Sequence, residues 1–227
     1  MKKILIVLTN VNKFPTTHEA TGLWLAEATE FVSEVQKAGY QVDYVSPLGG
    51  YVPIDPRSLK AFYADNEAFE IYSSADFQRR ALSHSLHPEQ VKPEEYAAIY
   101  YTGGHGVIFD FPDNQELQDI AEKIYQGGGY VTSVCHGVCG LLNLKTSDAE
   151  FLIAHRTLTG FTQLEEILSG KNRHVPFGTE RESKKRGAHF VKKRPFASFA
   201  VQDGQLITGQ NPMSGRAVAK LLLKNLE

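Results

Sequence analysis

Short apolar runs typical of buried strands alternate with helical patterns along this chain. Residues 4–8 form a continuous run rich in β-branched side chains, which is typical of a strand covered on both faces. A helical pattern follows over about 23–38 and ends at Gly39, and residues 41–46 then alternate as a second strand. The same order returns later as a strand, a helix and a strand, at 96–101, about 114–126 and 130–134. We therefore predict an α/β fold with a mainly parallel central sheet covered by helices on both faces.

The remaining segments fit one domain. At about 150 residues per domain, 227 residues correspond to roughly one and a half domains, so we expect a single domain over 1–227. Residues from about 51 to 93 are less regular and rich in proline, and we interpret them as a small insertion over the sheet. The chain then ends with two strand regions at 157–159 and 196–208, the latter with a turn at Asp203-Gly204, and a helix at about 212–226.

The composition is that of an ordinary globular protein with little net charge. Lys and Arg number 24 against 26 Asp and Glu, a balance of −2 that argues against nucleic acid or anionic membrane as a partner. No stretch approaches the roughly 18 apolar residues of a membrane helix. The apolar run at 4–8 is too short for a signal peptide, and two cysteines are too few for a secreted disulfide framework. We expect a soluble cytoplasmic protein.

Cys135 is the sharpest chemical signal in the sequence. The apolar strand at 130–134 meets Cys135 with no loop between them, and a stretch compatible with a helix begins at once. This is the pattern of a nucleophile elbow, which needs small neighbours such as Ser133 and Gly137 because backbone and helix approach closely. A helix N-terminus at this point would favour the thiolate over the thiol. The alternative is a buried structural cysteine, and the local sequence leaves both open.

His136 follows the cysteine directly, so its orientation cannot be assumed. An imidazole paired with a cysteine moves the proton and needs a carboxylate to orient it; the alternative is a histidine satisfied at a helix terminus. Cys135, His136 and Cys139 also lie within five residues, as metal ligands sometimes do. No fourth ligand has a recognisable spacing, so we expect no metal.

Glu27 and a glycine-rich turn are the other unusual features. Glu27 projects about 60° from Trp24 on the apolar stripe of the first helix, where burial would raise its pKa and let it hold a proton. Glu34 has a similar offset, and either glutamate fits an exposed rim as well. The turn at 103–106, Gly-Gly-His-Gly, could offer backbone N–H groups to an oxyanion. Alternatively, its glycines serve only to form a tight turn. It is not followed by a dinucleotide or Walker motif, so we expect no nucleotide or other cofactor.

The motifs taken together resemble the ThiJ/PfpI superfamily, which is class I glutamine amidotransferase-like. The similarity is greatest to its heat-shock-chaperone and glutathione-independent glyoxalase branch, and it runs over essentially the whole chain. The motifs that carry it, in chain order, are Thr21 to Glu27, Ser46 to Gly50, Pro53 to Pro56, Gly103 to Gly106, Val134 to Gly137, Thr159 to Thr162 and Asp203 to Pro212.

The resemblance implies a flavodoxin-like three-layer sandwich, often homodimeric, with its nucleophile at Cys135. It implies that His136 is the adjacent histidine, that Glu27 is the acid touching the sulfur, and that Glu166 orients the histidine. It places Gly104 and His105 at the oxyanion and substrate site, with the backbone N–H of His136 as a second donor. The chain departs from the pattern at Cys139, at Glu165 beside Glu166, and at Phe196, where relatives have tryptophan.

The function implied is the conversion of methylglyoxal to lactate without glutathione, metal or organic cofactor, in protection against carbonyl stress. The alternatives are a holdase chaperone or a redox-sensing stress protein, in which the cysteine is oxidised rather than used in turnover. Repair of glycated protein or nucleotide would use the same residues, so the sequence leaves this deglycase activity open as well.

Overall fold

A six-stranded sheet forms the centre of the computed structural model, which describes residues 3–60 and 62–226. Its strands are β1 (Lys3–Val7), β2 (Val42–Val45), β3 (Tyr96–Tyr101), β4 (Tyr130–Val134), β7 (Ala200–Asp203) and β8 (Leu206–Gly209). The strand order is β2-β1-β3-β4-β8-β7, and every pairing is parallel except that of β7 with β8. The predicted mainly parallel sheet is confirmed.

Helices cover the sheet on both faces. The helices are α1 (Leu25–Lys37), α2 (Asn66–Ser73), α3 (Val107–Asp110), α4 (Gln115–Gln126), α5 (Gln163–Leu168), α6 (Thr179–Lys185) and α7 (Gly215–Leu226). Alternate side chains of β1 belong to different cores, since Ile4 and Ile6 pack with α1 and α7 whereas Leu5 and Val7 pack with α4. This three-layer arrangement is the predicted flavodoxin-like sandwich.

The predicted insertion at about 51–93 is more helical than its sequence suggested. It contains α2, a π-helical segment at Phe77–Ser83 and several short 3₁₀ turns. The helix α2 packs on the outer side of α1, and Ala68 is fully buried there. Three of the prolines that suggested irregular chain, Pro56, Pro88 and Pro93, stand at the first positions of 3₁₀ turns, where a missing N–H costs nothing.

Several elements after β4 differ from the sequence-based expectation. The strand predicted at 157–159 is β5 (Thr157–Leu158), which leaves the central sheet and pairs in parallel with β6 (His189–Phe190). The helices α5 and α6 were not predicted, because each is only one or two turns long and shows little periodicity. Before β4, the short helix α3 follows the glycine turn, where no helix was expected. The closing helix predicted at about 212–226 is present, but its first turn, Pro212–Ser214, is a 3₁₀ turn and the α-helix α7 begins after it.

The topology brings the carboxyl ends of the central parallel strands together. The glycine turn follows β3 and Cys135 follows β4, so these two motifs lie side by side at one edge of the sheet. Ligands in open parallel sheets bind at this edge. Within the described ranges, no helix has the length and apolar character needed to cross a bilayer; location in the cytoplasm stays a prediction.

Candidate active site

Cys135 stands at a strained turn between β4 and a 3₁₀-helix at Cys135–Leu141. Its φ is +57°, in the left-handed region that non-glycine residues rarely adopt. Gly137 is required here, because a Cβ at that position would lie 2.2 Å from the carbonyl oxygen of Tyr101. The predicted nucleophile elbow is therefore present in the backbone.

A short hydrogen-bonded chain runs from the cysteine to a buried carboxylate. The Sγ atom of Cys135 lies 3.5 Å from His136 Nδ1, and His136 Nε2 lies 2.7 Å from Glu166 Oε2. Burial by itself would raise the pKa of Glu166, but the two histidines beside it outweigh this and hold the pKa well below its usual range. An ionised Glu166 can only accept, so His136 Nε2 donates to it and Nδ1 is left to accept a proton from the thiol.

His105 binds the other oxygen of the same carboxylate. Its Nε2 lies 2.9 Å from Glu166 Oε1, and its ring centroid is 4.4 Å from that of His136. Burial lowers the pKa of His105 to about 4, and the proximity of His136 acts in the same direction. His105 is therefore neutral at physiological pH. The resemblance placed His105 at the oxyanion and substrate site; the residue lines the same cavity as Cys135, and its Nε2 faces Glu166.

Glu27 is fully buried beside the sulfur rather than exposed at the helix rim. A Cβ on Gly103 would lie 2.3 Å from Glu27 Oε2 and 3.0 Å from the Cβ of Cys135, which shows how closely the three residues meet. No described residue meets either carboxyl oxygen with full hydrogen-bond geometry. Glu34, the competing candidate from helical periodicity, instead lies partly exposed, 3.5 Å from the guanidinium of Arg216.

Burial governs the protonation of the Glu27–Cys135 pair. It raises the pKa of Glu27 well above the ordinary value, while the nearby thiol and the Gly103 N–H lower it only in part. Burial and the Glu27 carboxylate likewise raise the pKa of the Cys135 thiol. Because two adjacent negative charges are disfavoured in a buried site, the pair holds at least one proton near neutral pH. This corrects the prediction of a thiolate favoured by a helix N-terminus, since burial outweighs the short 3₁₀-helix.

Glu165 has a separate structural role from its neighbour Glu166. Its Oε1 accepts hydrogen bonds from the Phe196 N–H at 2.8 Å and from Gln210 Nε2 and Asn211 Nδ2 at 2.9 Å each. Its Oε2 accepts from the N–H and the hydroxyl of Thr162. Phe196, whose φ is +57°, is thereby held against the site. The structure separates the two adjacent glutamates that the sequence could not.

The glycine turn presents backbone to the site. Gly104 has a φ of +107°, and a Cβ there would lie 2.2 Å from the carbonyl oxygen of Gly22. Its N–H makes no hydrogen bond to any described residue. Only glycine fits this position, and its free N–H suits the oxyanion role that the resemblance implied.

A cavity of about 290 Å³ opens onto these groups. Cys135, His136 and Gly104 line its floor, whereas Trp24, Arg57 and Phe196 are among the residues of its walls. This volume lies just below the range of about 300–1,000 Å³ seen for ligand pockets. The site is therefore matched to a small molecule.

Three buried side chains also have the spacing of metal ligands. One ligand atom each from His105, His136 and Glu166 lies within 4.8 Å of the others. Two histidines and one carboxylate are a donor set that zinc or iron accepts. The sequence did not suggest this set, because its members come from three distant segments.

The structure therefore brings every predicted site residue to one place. Cys135, His136, Glu27, Glu166, and the turn with Gly104 and His105 all lie at or beneath the cavity. Arg57, in the segment interpreted as an insertion, was missed; it contacts His105 at 3.1 Å. Its only sequence signal was its place directly after the motif Pro53 to Pro56, two residues beyond Asp55.

The fold and the site define the class of protein. The family model described as the DJ-1/PfpI family matches residues 20–225, and the chain belongs to this family. The resemblance to the ThiJ/PfpI superfamily found in the sequence is thereby confirmed.

Individual relatives match over nearly their whole length. Glutathione-independent glyoxalase HSP31 of Saccharomyces cerevisiae is 32% identical over 230 residues, covering 96% of this chain and 95% of the yeast protein. The crystal structure of glyoxalase III from Candida albicans matches with a TM-score of 0.89 at 29% identity, covering 98% of this chain and 96% of that one. Rapid Encystment Protein 24 kDa of Francisella tularensis matches with a TM-score of 0.95 at 32% identity, over 100% of both chains.

Proposed function

We propose that this protein is a glutathione-independent glyoxalase that converts methylglyoxal to lactate. The observation that carries the proposal is the chain from Cys135 through His136 to Glu166 at the floor of a small cavity, with Glu27 against the sulfur. The relatives from Saccharomyces cerevisiae and Candida albicans are named as glyoxalases, the former as a glutathione-independent one. We assign Cys135 as the nucleophile and His136 as the proton carrier.

The first step is attack of sulfur on the aldehyde carbon. His136 Nδ1, 3.5 Å from Sγ, takes the thiol proton as the C–S bond forms, and the carbonyl oxygen becomes an alkoxide. The backbone N–H groups of Gly104 and His136 stabilise this oxygen, which then takes the proton from His136 to give the hemithioacetal and a neutral imidazole. Glu166 stabilises the imidazolium through its 2.7 Å contact with Nε2.

The second step moves a proton between neighbouring carbons. His136 removes the proton from the carbon bonded to sulfur, giving an enediolate whose remaining hydroxyl proton moves to the neighbouring oxygen. His136 then returns its proton to the former ketone carbon. The product of this shift is the thioester of lactate on Cys135. Water then cleaves the thioester, which releases lactate and restores the thiol, so methylglyoxal plus one water gives lactic acid. Neutral Glu27 supplies a hydrogen-bond donor to the sulfur when it leaves as a thiolate.

The test is lactate formation from methylglyoxal without added glutathione or metal. Cys135→Ala should abolish turnover, because it removes the attacking atom. Cys139→Ala is the matched control, since Cys139 is equally buried but does not line the cavity. We expect Cys139→Ala to keep at least half of the wild-type kcat. No lactate from reduced wild-type protein, or equal lactate from Cys135→Ala, would refute the proposal.

An exposed apolar surface on α5 favours the holdase alternative as a second activity. Leu164, Ile167 and Leu168 are 50–58% exposed on this helix, beside the mouth of the cavity. A holdase that uses this surface should protect a heated client protein equally well in the Cys135→Ala variant, and less well in the Ile167→Glu variant. The homodimer expected from the resemblance, and deglycase activity on larger substrates, stay predictions.

A further inference from the structure

A second chain of polar contacts reaches the site from the segment before α2. The Thr21 hydroxyl donates to Asp55 Oδ2 at 3.0 Å, and Asp55, which is fully buried, accepts from Arg57 Nε at 2.9 Å. Arg57 Nη2 in turn lies 3.1 Å from His105 Nδ1. Both carboxylate oxygens of Asp55 accept from the guanidinium, so Arg57 cannot turn away from the histidine without breaking an ion pair to a buried carboxylate.

The chemistry of the guanidinium decides where the ring proton of His105 resides. Arginine has only donors and does not lose its proton, so Nδ1 of His105 must be the acceptor in this contact. A neutral imidazole then carries its single proton on Nε2. That nitrogen is the one 2.9 Å from Glu166 Oε1, and it donates to the carboxylate.

This proton arrangement determines what Glu166 can bind. Both of its oxygens accept from histidine Nε2–H groups, one from His105 and one from His136. A metal ion held by the same three residues would need a lone pair on Nε2 of His105. The proton would then have to move to Nδ1, where it would point at an N–H of Arg57. The guanidinium charge also opposes a nearby cation.

We propose that Arg57 is a positioning residue that holds the His105 proton on Nε2 and thereby withholds the ligand set of His105, His136 and Glu166 from transition metals. His105, His136 and Glu166 then serve only in proton transfer, and the unprotonated nitrogen of the group, His136 Nδ1, faces the cysteine. Removal of Arg57 frees the proton of His105 to move to Nδ1 and turns the trio into a site for one Zn²⁺. The inference uses the geometry of the proposed active site but does not depend on its reaction.

The test measures Zn²⁺ binding and the histidine tautomer, in full-length protein with Cys135→Ala so that no thiolate competes for the metal. Arg57→Met removes the donor and the charge, and Arg57→Lys keeps both. Because Arg57→Met leaves Asp55 unpaired, the pair Asp55→Asn/Arg57→Met serves if the single variant does not fold. Lys60→Met is the matched control for Zn²⁺ affinity, since Lys60 is a cation of the same cavity wall.

We expect one Zn²⁺ per chain in Arg57→Met, bound at least tenfold more tightly than with Arg57 present, and lost when His105→Asn is added. Arg57→Lys and Lys60→Met should keep the weak affinity of the parent. Two-bond ¹H–¹⁵N spectra of the imidazoles should show His105 protonated on Nε2 only while Arg57 or its lysine replacement is present. Equal Zn²⁺ affinity with and without Arg57, or a His105 proton on Nδ1 in the parent, would overturn the proposal.

Because these measurements use a chain without the nucleophile, they are independent of lactate formation. If wild-type protein makes no lactate while Arg57→Met gains a zinc site, the proposed reaction is wrong and the role of Arg57 stands. If lactate forms but Arg57→Met gains no zinc site, the reaction stands and the role of Arg57 is wrong.

Discussion

A change from glutamate to glutamine should lower mainly the catalytic rate at Glu166 and mainly the stability of the fold at Glu165. Glu166→Gln keeps the size of the side chain but replaces one oxygen by an NH₂ group. Glu166 accepts from His136 and from His105 at 2.7 and 2.9 Å. A glutamine can accept only one of these bonds, and its NH₂ group would face the N–H of the other histidine, so one ring must change its tautomer or turn.

The magnitude for Glu166→Gln follows from the chemistry of the proton carrier. Loss of the carboxylate removes the charge that stabilises the His136 imidazolium and the contact that selects its tautomer. Replacing the carboxylate of a catalytic triad by an amide costs about 10⁴ in kcat, and we expect a loss of roughly 10³–10⁴ here. The stability cost should be smaller, about 1–3 kcal/mol for one unmatched buried pair.

Glu165→Gln should act on stability instead. The three donors on Oε1 can be kept by the amide oxygen, but the amide nitrogen then faces the N–H of Thr162. Lost charge-assisted bonds and one unmatched donor should cost about 2–4 kcal/mol, or roughly 5–15 °C in Tm for a chain of this length. The kcat of the folded fraction should fall less than tenfold, through the loosened wall at Phe196.

The assay compares kcat for lactate formation with Tm for both variants. If Glu165→Gln lost as much kcat as Glu166→Gln, or Glu166→Gln kept more than a tenth of wild-type kcat, the division of roles would be wrong. Each variant controls for the other, because the chemical change and the position in the chain are almost the same.

Two further predictions concern the surroundings of the sulfur and the pH dependence of stability. Gly103→Ala places a methyl group 2.3 Å from Glu27 Oε2 and 3.0 Å from the Cβ of Cys135, and a misplacement of about 1 Å costs about 10² in rate; kcat should fall this far, whereas Gly127→Ala, at the end of α4, should leave it unchanged. Burial raises the pKa of Glu30 from 4.5 to about 7, so the folded state holds a proton that the unfolded state has lost, and stability falls as pH rises from about 4.5 to 7. Glu30→Gln should remove up to about 3 kcal/mol of this decline. Denaturant titrations at pH 5 and pH 8 give the free energy of unfolding, and an equal loss between the two pH values in the wild-type protein and in Glu30→Gln would contradict the prediction.

Much of the fold could be predicted because buried parallel strands have a strong local signal. The runs at 4–8, 96–101 and 130–134 match β1, β3 and β4 within one residue, since both faces of each strand are covered and every position is apolar or small. The short helices α5 and α6 escaped prediction for the opposite reason. Their residues are selected by contacts made elsewhere, such as those of Glu165 with Asn211, which carry no periodicity.

The site was predictable only in part. Cys135 could be identified because an apolar strand runs directly into it, and Glu166, the partner of His136, was identified from the family resemblance. Helical periodicity alone could not separate Glu27 from Glu34, because burial of Glu27 depends on Gly103, far away in sequence. Arg57 could not be found at all by local reasoning, since its function follows from an arginine–histidine contact across 48 residues.

The dispersed origin of the site has a kinetic consequence. Glu27 comes from α1, Gly103 from the end of β3, Cys135 from the end of β4 and Glu166 from α5, so no early part of the chain holds a working set. Long loops must close before such contacts form, which makes them late events in folding. On dilution from denaturant, far-ultraviolet circular dichroism should therefore recover before lactate formation does, and the delay between the two reports the docking of α5 onto the finished sheet.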